Sequence, residues 1–234
     1  MKTIKPNLKN HLFLFDIDGT ILDSKGQGKI AFISSFERVL NTKIDSDINF
    51  LGGIDNVIFK DLYFKYNFPK ELLEKYWNKF KKVYLNNLSI IKSKEKWIAF
   101  PNVENIIKLL KNISYIALVT GNIKKGAEEK LKKVKLNKYF SCGGFGDYVD
   151  NRRLLVKEAI DSSQKKFNKI FPVKNIYLFG DTEKDIQSAI ENNITPILID
   201  HKKKHKNITK NLQVKYYTNF LNIDSFLKKI KNIY

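Results

Sequence analysis

Short, continuous apolar runs recur along the chain, and segments with helical spacing separate them. The four clearest runs and a weaker fifth span residues 11–17, 114–120, 175–181, 195–200 and 139–145. They lack the alternation of a half-exposed strand, which is typical of parallel strands covered on both faces. Helical patterns occupy residues 102–112, 123–136, 152–167, 183–193 and 223–233. This alternation predicts an α/β fold with a doubly wound, mainly parallel, Rossmann-like sheet.

One long segment breaks the alternation. Residues 25–97 contain helical patterns and no convincing strand. We therefore expect a small all-helical cap domain at 25–97, inserted into an α/β core formed by residues 1–24 and 98–234. The helical patterns span residues 28–41, 55–67 and 70–88.

Within this segment, a glycine pair at Gly52 and Gly53 precedes Asp55. Because glycine is unfavourable in a helical region unless packing or function requires it, we expect this stretch to reach toward a ligand. The alternative is a plain helix–helix turn in which Asp55 caps the following helix. Four aromatic residues are expected to form the core of the cap rather than ligand contacts. They are Tyr63, Tyr66, Trp77 and Tyr84.

The composition is strongly basic. The 234 residues include 43 Lys and Arg against 24 Asp and Glu, a formal net charge of +19, which is compatible with a nucleic-acid-binding protein. Arginine occurs only three times, however, and the lysines are spread along the chain. The densest run, residues 201–206, contains no aromatic or arginine residue and is interpreted as a solvated loop. No nucleic-acid partner is expected, although a non-catalytic nucleic-acid-binding protein stays an alternative.

Cysteine use and hydropathy bear on the compartment. The single cysteine, Cys142, excludes an internal disulfide framework, so a reducing cytoplasm is expected. No apolar run reaches the ~20 residues of a membrane span, and the first ten residues lack the apolar centre of a signal peptide. We expect a cytoplasmic monomer or weak homodimer without a membrane partner.

Polar residues follow three of the predicted strands directly. The first run ends in the sequence Asp16-Ile17-Asp18-Gly19-Thr20, the second in Thr120-Gly121-Asn122, and the third in Gly180-Asp181-Thr182, with Asp185 shortly beyond. Ligands bind beyond the carboxyl ends of parallel strands, so these side chains are expected to meet at one edge of the sheet. Two carboxylates two residues apart on the first strand could divide the work of attack and proton transfer.

These residues resemble the haloacid dehalogenase superfamily, in particular its phosphoglycolate-phosphatase-like members with a helical C1-type cap. The resemblance rests on DIDGT at 16–20, VTGN at 119–122, GDTEKD at 180–185 and GGIDN at 52–56, and residues 119–147 are similar to the core of such phosphatases. It implies a Mg²⁺-dependent phosphatase that acts on a small phosphorylated metabolite through an aspartyl-phosphate. A phosphomutase of the β-phosphoglucomutase type would use the same residues.

The resemblance also implies residue roles. Asp16 would be the nucleophile, Asp18 the general acid and then base, and Thr120 a hydrogen-bonding partner of the phosphoryl oxygens. Mg²⁺ would be held by Asp16, the backbone carbonyl of Asp18 and Asp181, with Asp185 orienting its waters or a neighbouring cation. The family's usual lysine is replaced here, and the FGDYVDNRRLL stretch indicates Arg152, with Arg153 as the second candidate. Substrate-binding roles are expected for Gly19, Thr20, Gly121, Asn122, Gly53 and Asp55.

Electrostatics supports the need for cations at this edge. Two like charges at ~4 Å cost ~4 kcal/mol at an effective dielectric constant of ~20. Mg²⁺ and one basic side chain would offset most of the charge of four carboxylates if Asp18 carried a proton, which like-charge crowding favours. The helix that begins near Ile123 is expected to direct its free N–H groups at the same anion. A receiver-type signalling domain also gathers Asp, Thr and Lys at strand ends, but the helical insertion and the DxDGT spacing count against it.

Overall fold

Six parallel strands form the main sheet of the computed structural model, which describes residues 8–45, 48–91, 97–201, 214 and 217–221. The strands are β1 (Leu12–Phe15), β4 (Tyr115–Thr120), β5 (Gly143–Phe145), β6 (Ile176–Gly180), β7 (Thr195–Ile199) and β8 (Tyr217–Thr218). Their spatial order is β5-β4-β1-β6-β7-β8. In register, Leu12 pairs with Tyr115 on one side and with Ile176 on the other. The predicted doubly wound, mainly parallel sheet is confirmed.

All five predicted strands are present. The first ends two residues earlier than predicted, at Phe15, although the Asp16 N–H still donates to the Phe179 carbonyl at 2.9 Å. The apolar pattern did not predict β8, or the two-residue strands β2 (Leu22–Asp23) and β3 (Ile98–Ala99). These last two pair antiparallel in a separate ribbon, with Leu22 opposite Ala99.

Seven helices surround the sheets in the described part of the chain. They are α1 (Gln27–Leu40), α2 (Asp55–Lys65), α3 (Leu73–Ile90), α4 (Val103–Ile113), α5 (Lys124–Lys133), α6 (Arg152–Phe167) and α7 (Glu183–Glu191), with short 3-10 helices at Lys70–Leu72, Asn137–Tyr139 and Val173–Asn175. The predicted helix at 223–233, and the lysines of the run at 201–206, lie outside the described residues. No described helix is both long and apolar enough to cross a membrane.

The alternating side chains of β1 supply both faces of the sheet, as a strand requires. Leu12 and Leu14 pack on one face and Phe13 and Phe15 on the other, all fully buried. The leucine face packs against apolar residues of α6 and α7: Val156, Ala159 and Ala189. The phenylalanine face packs against α4 and α5: Ile106, Ile107, Leu110, Ala127 and Leu131. This two-sided burial makes β1 a rigid support for the residues that follow it.

The chain between β2 and β3 packs around a cluster of aromatic rings. Phe80 lies 4.7 Å from Phe32 and 4.9 Å from Phe59 between ring centroids, which ties α3 to α1 and α2. Three of the four predicted core aromatics of this segment are buried: Tyr63, Trp77 and Tyr84. The fourth, Tyr66, is only half-buried, and its hydroxyl accepts a hydrogen bond from the Asp45 backbone N–H at 3.0 Å.

Candidate active site

The candidate site lies at the carboxyl ends of the central strands. β1 sits between β4 and β6, and the chain builds outward from it in both directions, so the end of β1 is the topological switch point where α/β sheets bind ligands. A cavity of about 320 Å³ opens there, between the sheet and helices α1 to α3. Its lining includes Asp16, Asp18, Thr120, Lys130, Arg152 and Asp181.

Three carboxylates meet at the floor of this cavity. Asp16, Asp181 and Asp185 each offer one oxygen, and these oxygens lie within 4.8 Å of one another. The structure thus brings together residues that follow β1 and β6. The Asp18 side chain is not a member of this group, because its carboxylate faces a different set of partners.

Asp185 is oriented by the start of α7. The Thr182 N–H and hydroxyl both donate to Asp185 Oδ2, at 3.0 and 2.6 Å. The Asp185 N–H donates in turn to Thr182 Oγ1 at 3.3 Å, which completes a capping box at the helix N-terminus. The other oxygen, Oδ1, accepts from Arg152 Nε at 2.8 Å. Asp185 is fully buried, so local capping and one cation together fix its carboxylate.

Arg152 is the first residue of α6 and lies 9% exposed against the acidic cluster. Its Nη2 donates to Asp16 Oδ1 at 3.1 Å and also contacts Asp185 Oδ1. Burial alone lowers the pKa of the guanidinium, but the charges of Asp185 and Asp16 outweigh burial and raise it. Arg153 is exposed, and its backbone carbonyl accepts from Asn192. Of the two arginine candidates, the structure therefore places Arg152 in the site.

The acidic cluster carries unfavourable charge. Burial raises the pKa of Asp16 well above its ordinary range, and the Asp185 charge raises it further against the opposing effect of Arg152. Burial, followed by the Asp185 charge, raises the pKa of Asp181 to about 7. Burial is the larger cause of both shifts, but in each the repulsion from Asp185 also exceeds the opposing effect of Arg152, so one guanidinium does not cancel the charge of the cluster. The oxygen donors, their spacing and this residual negative charge all fit a hard divalent cation.

A second network surrounds Asp18. Asp18 Oδ2 accepts from Lys130 Nζ and from Asn122 Nδ2, each at 2.7 Å. Asn122 Nδ2 also donates to Thr120 Oγ1 at 2.7 Å, and Asn122 Oδ1 accepts from Lys130 Nζ at 2.6 Å. Thr120, the last residue of β4, and Asn122, just beyond it, are therefore connected to Asp18 through one amide and one ammonium.

Sequence reasoning did not single out Lys130. It is 4% exposed and lies on the buried face of α5 beside Ala127 and Leu131. A lysine placed among the apolar positions of a helix with otherwise lysine-rich exposed faces was the available signal. The high lysine content of the chain obscured it.

The glycine-pair stretch reaches the core at the end of β4. A Cβ on Gly121 would overlap the Gly53 carbonyl oxygen, so the two backbones approach as closely as glycine permits. The Asp55 N–H donates to the Gly121 carbonyl at 2.8 Å. Asp55 Oδ2 accepts from the Ile123 N–H at 2.9 Å, so its carboxylate caps α5 rather than its own helix α2. The alternative in which Asp55 caps the following helix is wrong.

The expectation that the free N–H groups of α5 point at a bound anion is wrong for the first two of them. These two do not point freely at the cavity, because the Lys124 N–H donates to Asp147 Oδ2 at 2.7 Å while that of Ile123 donates to Asp55. Two carboxylates already occupy the positive end of this helix.

The remaining predicted substrate-binding residues divide into two groups. Gly19, Gly53, Gly121, Asn122 and Asp55 line the cavity. Thr20 is fully buried, and its hydroxyl donates to Asp181 Oδ1 at 3.4 Å. Gly19 has φ of +87°, and a Cβ there would overlap the Asp181 carboxylate, so glycine lets the loop pass over this acid.

The fold and the site thus define an α/β protein with a carboxylate cluster at the switch point of a parallel sheet, beneath a helical segment. The model of the family described as haloacid dehalogenase-like hydrolase matches residues 13–199. The chain belongs to this family and is a hydrolase, as the motifs predicted. No curated protein matches the chain.

Solved structures share the fold over nearly the whole chain. A predicted phosphatase from Clostridium acetobutylicum is 20% identical, with a TM-score of 0.66, and the match covers 96% of this chain and 99% of that one. A predicted phosphoglycolate phosphatase from Haemophilus somnus is 19% identical, with a TM-score of 0.65 and coverage of 94% and 98%. A protein assigned as a beta-phosphoglucomutase from Thermotoga maritima is 18% identical, with a TM-score of 0.58 and coverage of 94% and 99%.

Proposed function

We propose that this hydrolase releases phosphate from a small phosphomonoester, with Asp16 carrying the phosphoryl group and Mg²⁺ bound at the acidic cluster. The observation that carries the proposal is the set of oxygens from Asp16, Asp181 and Asp185 within 4.8 Å of one another, at the switch point of the sheet. The cavity volume of about 320 Å³ favours a small substrate, since it lies near the lower end of the range for ligand pockets.

Mg²⁺ fits the donor set. Carboxylate oxygens of Asp16, Asp181 and Asp185, with the backbone carbonyl of Asp18, are the hard ligands that it prefers. Burial, and then repulsion from Asp185, raises the pKa values of Asp16 and Asp181, and a dication beside them would offset the repulsive part. When bound, Mg²⁺ supplies positive charge that stabilises the phosphoryl oxygens.

In the first half of the reaction, an Asp16 oxygen attacks phosphorus and the bond from phosphorus to the ester oxygen breaks. Asp18 gives its proton to the departing oxygen, so the alcohol leaves neutral. Arg152 and the Thr120 hydroxyl bind the non-bridging oxygens, whose charge the guanidinium offsets. The hydrogen bond from Arg152 to Asp16 supports this role, because the guanidinium lies next to the proposed nucleophile.

In the second half, water attacks the phosphorus of the phosphorylated Asp16. Asp18 accepts a proton from this water, the Asp16–phosphorus bond breaks, and inorganic phosphate leaves. Both carboxylates then return to their starting states. The overall reaction consumes one water and yields an alcohol and phosphate.

Residues 25–97 would serve as the cap over a catalytic core of residues 1–24 and 98–234. The contacts of Gly53 and Asp55 with the residues after β4 support this role, because they hold the glycine-pair stretch against the cavity. Such a cover would exclude water and contact the leaving group. Gly19, Thr20, Gly121, Asn122, Gly53 and Asp55 would then shape the substrate site through backbone approach and hydrogen bonds.

The test is a substrate panel with the wild-type protein and Asp16→Asn. Phosphoglycolate, sugar phosphates, nucleotides and p-nitrophenyl phosphate are assayed for phosphate release with Mg²⁺ or with a chelator. We expect release that needs Mg²⁺ and falls by more than about 10³-fold in Asp16→Asn. Asp45→Asn removes a carboxylate with a side chain 75% exposed and is the matched control. Undiminished turnover by Asp16→Asn would reject the mechanism.

Product analysis in the same panel tests one alternative, and a nucleic-acid-binding measurement tests a second. A phosphomutase would convert a hexose phosphate to its isomer without releasing phosphate. The net charge of +19 motivates a nucleic-acid-binding protein, which would bind DNA or RNA tightly at physiological salt. If no such binding is seen at that salt concentration, the nucleic-acid-binding alternative is rejected.

A further inference from the structure

We infer that Lys130 is a positioning residue that holds Asp18 in the geometry needed for proton transfer to the leaving group. The inference rests on the proposed function, since it assigns a task to a residue within the same reaction. It starts from the placement of a charged ammonium where only 4% of the residue is exposed.

Burying an ammonium is costly unless it is paired and hydrogen-bonded. Lys130 Nζ meets that condition with Asp18 Oδ2 at 2.7 Å and Asn122 Oδ1 at 2.6 Å. Both acceptors belong to the cavity lining. The ammonium therefore makes both of its hydrogen bonds within the site, and its charge is screened less there than at the protein surface.

The first turn of α1 leaves room for this arrangement. Gly28 faces the lysine, and a Cβ at this position would lie 3.1 Å from Lys130 Nζ, closer than nearly all real Cβ contacts. A larger side chain at residue 28 would have to displace the ammonium. The helical segment and α5 thus both contribute to placing Nζ beside Asp18.

The hydrogen bonds to Asp18 reach only one of its two carboxylate oxygens. Lys130 and Asn122 both donate to Oδ2, and within the described residues no group donates to Oδ1. The Asp18 side chain is 37% exposed and lines the cavity. Fixing one oxygen leaves the other for the leaving oxygen of the substrate.

Lys130 also fixes the amide of Asn122. Because an ammonium only donates, it requires the Asn122 carbonyl oxygen and leaves both Nδ2 hydrogens for Asp18 and Thr120. The proton-transfer group and the phosphoryl-binding hydroxyl are thereby held at a fixed separation. Without Lys130, Asn122 Nδ2 can still donate to Thr120, whereas Asp18 Oδ2 loses one of its two donors, so the loss falls mainly on Asp18 and leaves the Asp16 cluster intact.

The charge count agrees with this task. The two buried basic side chains of the site, Arg152 and Lys130, lie among several carboxylates that line or floor the cavity, those of Asp16, Asp18, Asp55, Asp181 and Asp185. Arg152 contacts Asp16 and Asp185, and Lys130 contacts Asp18. The two cations therefore form ion pairs with different carboxylates, and neither pairs with a carboxylate of the other.

The test compares two esters with different leaving groups. An alkyl phosphate needs a proton on its departing oxygen, whereas 2,4-dinitrophenyl phosphate does not. For Lys130→Met we expect kcat/KM to fall about 10²-fold on the alkyl ester and less than about threefold on the dinitrophenyl ester. Lys132→Met is the control, since this lysine is also on α5 but is 54% exposed and pairs with Glu129. It should leave both rates unchanged.

Asp18→Asn supplies a second measurement. If Lys130 acts through Asp18, adding Lys130→Met to Asp18→Asn should lower the alkyl-ester rate no further. Lys130→Arg, which keeps a cation, should recover part of the selective loss. Both rates come from one preparation, so their ratio does not depend on the fraction of folded protein.

The outcomes separate the inference from the proposed function. Equal losses on the two esters, or full additivity with Asp18→Asn, would overturn the role of Lys130 while leaving the phosphatase proposal in place. A wild-type protein that hydrolyses neither ester would overturn the proposed function, and this inference with it.

Discussion

Asp55 provides a direct test of the contact between the glycine-pair stretch and the core. It is 7% exposed, and its carboxylate accepts from the Ile123 N–H. Burial raises its pKa from 3.8 to about 7, against the opposing effects of the Lys130 charge and the Ile123 hydrogen bond. Asp55→Asn keeps the shape and an oxygen acceptor for Ile123 but removes the ionisation.

The direction of the pKa shift decides whether the protein gains or loses stability as the pH rises. Because the pKa of Asp55 is higher in the folded than in the unfolded protein, protonation favours folding. The contribution is fully present below about pH 4 and is lost as the pH rises through about 7. The difference between 3.8 and about 7, at about 1.4 kcal/mol per pKa unit, corresponds to about 4 kcal/mol in all. Between pH 5 and pH 8 the change is about 3 kcal/mol.

The assay is urea unfolding of the wild type and Asp55→Asn at pH 5 and pH 8, with a chelator present. Asp16 and Asp181 titrate in both proteins, so the difference between them isolates Asp55. We expect the wild type to lose about 3 kcal/mol relative to the variant over this range. Asp45→Asn controls for removal of one carboxylate at the surface. Parallel pH dependences for the wild type and Asp55→Asn, within about 0.5 kcal/mol, would refute the reasoning.

Three further predictions concern the site. Arg152→Met leaves the buried Asp16 without its guanidinium, so the free energy of unfolding in chelator should fall by about 3 kcal/mol and kcat/KM should fall more than about 10²-fold. Arg152→Lys should recover only part of both losses, and an unchanged stability of Arg152→Met would contradict this prediction. Mg²⁺ at about 100 times its Kd should stabilise the wild type by about 2.7 kcal/mol and Asp181→Asn much less. Equal stabilisation of the two proteins would exclude the acidic cluster as the metal site. Gly121→Ala must displace the Gly53 backbone, so kcat/KM should fall more than about tenfold and the free energy of unfolding should fall by about 1–3 kcal/mol. Wild-type values of both would show that the close approach of the two backbones is not needed.

Local patterns in the sequence determined the sheet and the positions of its polar ends. The apolar runs before Asp16, Thr120 and Asp181 are long enough to specify buried strands, and parallel strands bring their carboxyl ends to one edge. The meeting of Asp16 with Asp181 was therefore predictable. The two-residue strands β2 and β3 were not, because such short pairings carry no periodicity of their own.

Only the tertiary structure decided which charged groups meet. Sequence spacing left Arg152 and Arg153 as alternatives, and the start of α6 directs only the first of them to Asp16. Lys130 lies far from Asp18 in sequence, and their ion pair depends on how α5 packs against α3 and the sheet. A long side chain can reach many partners, so its contact is set by the packing of whole helices. Local sequence patterns specify elements, whereas the pairing of buried charges depends on how those elements assemble.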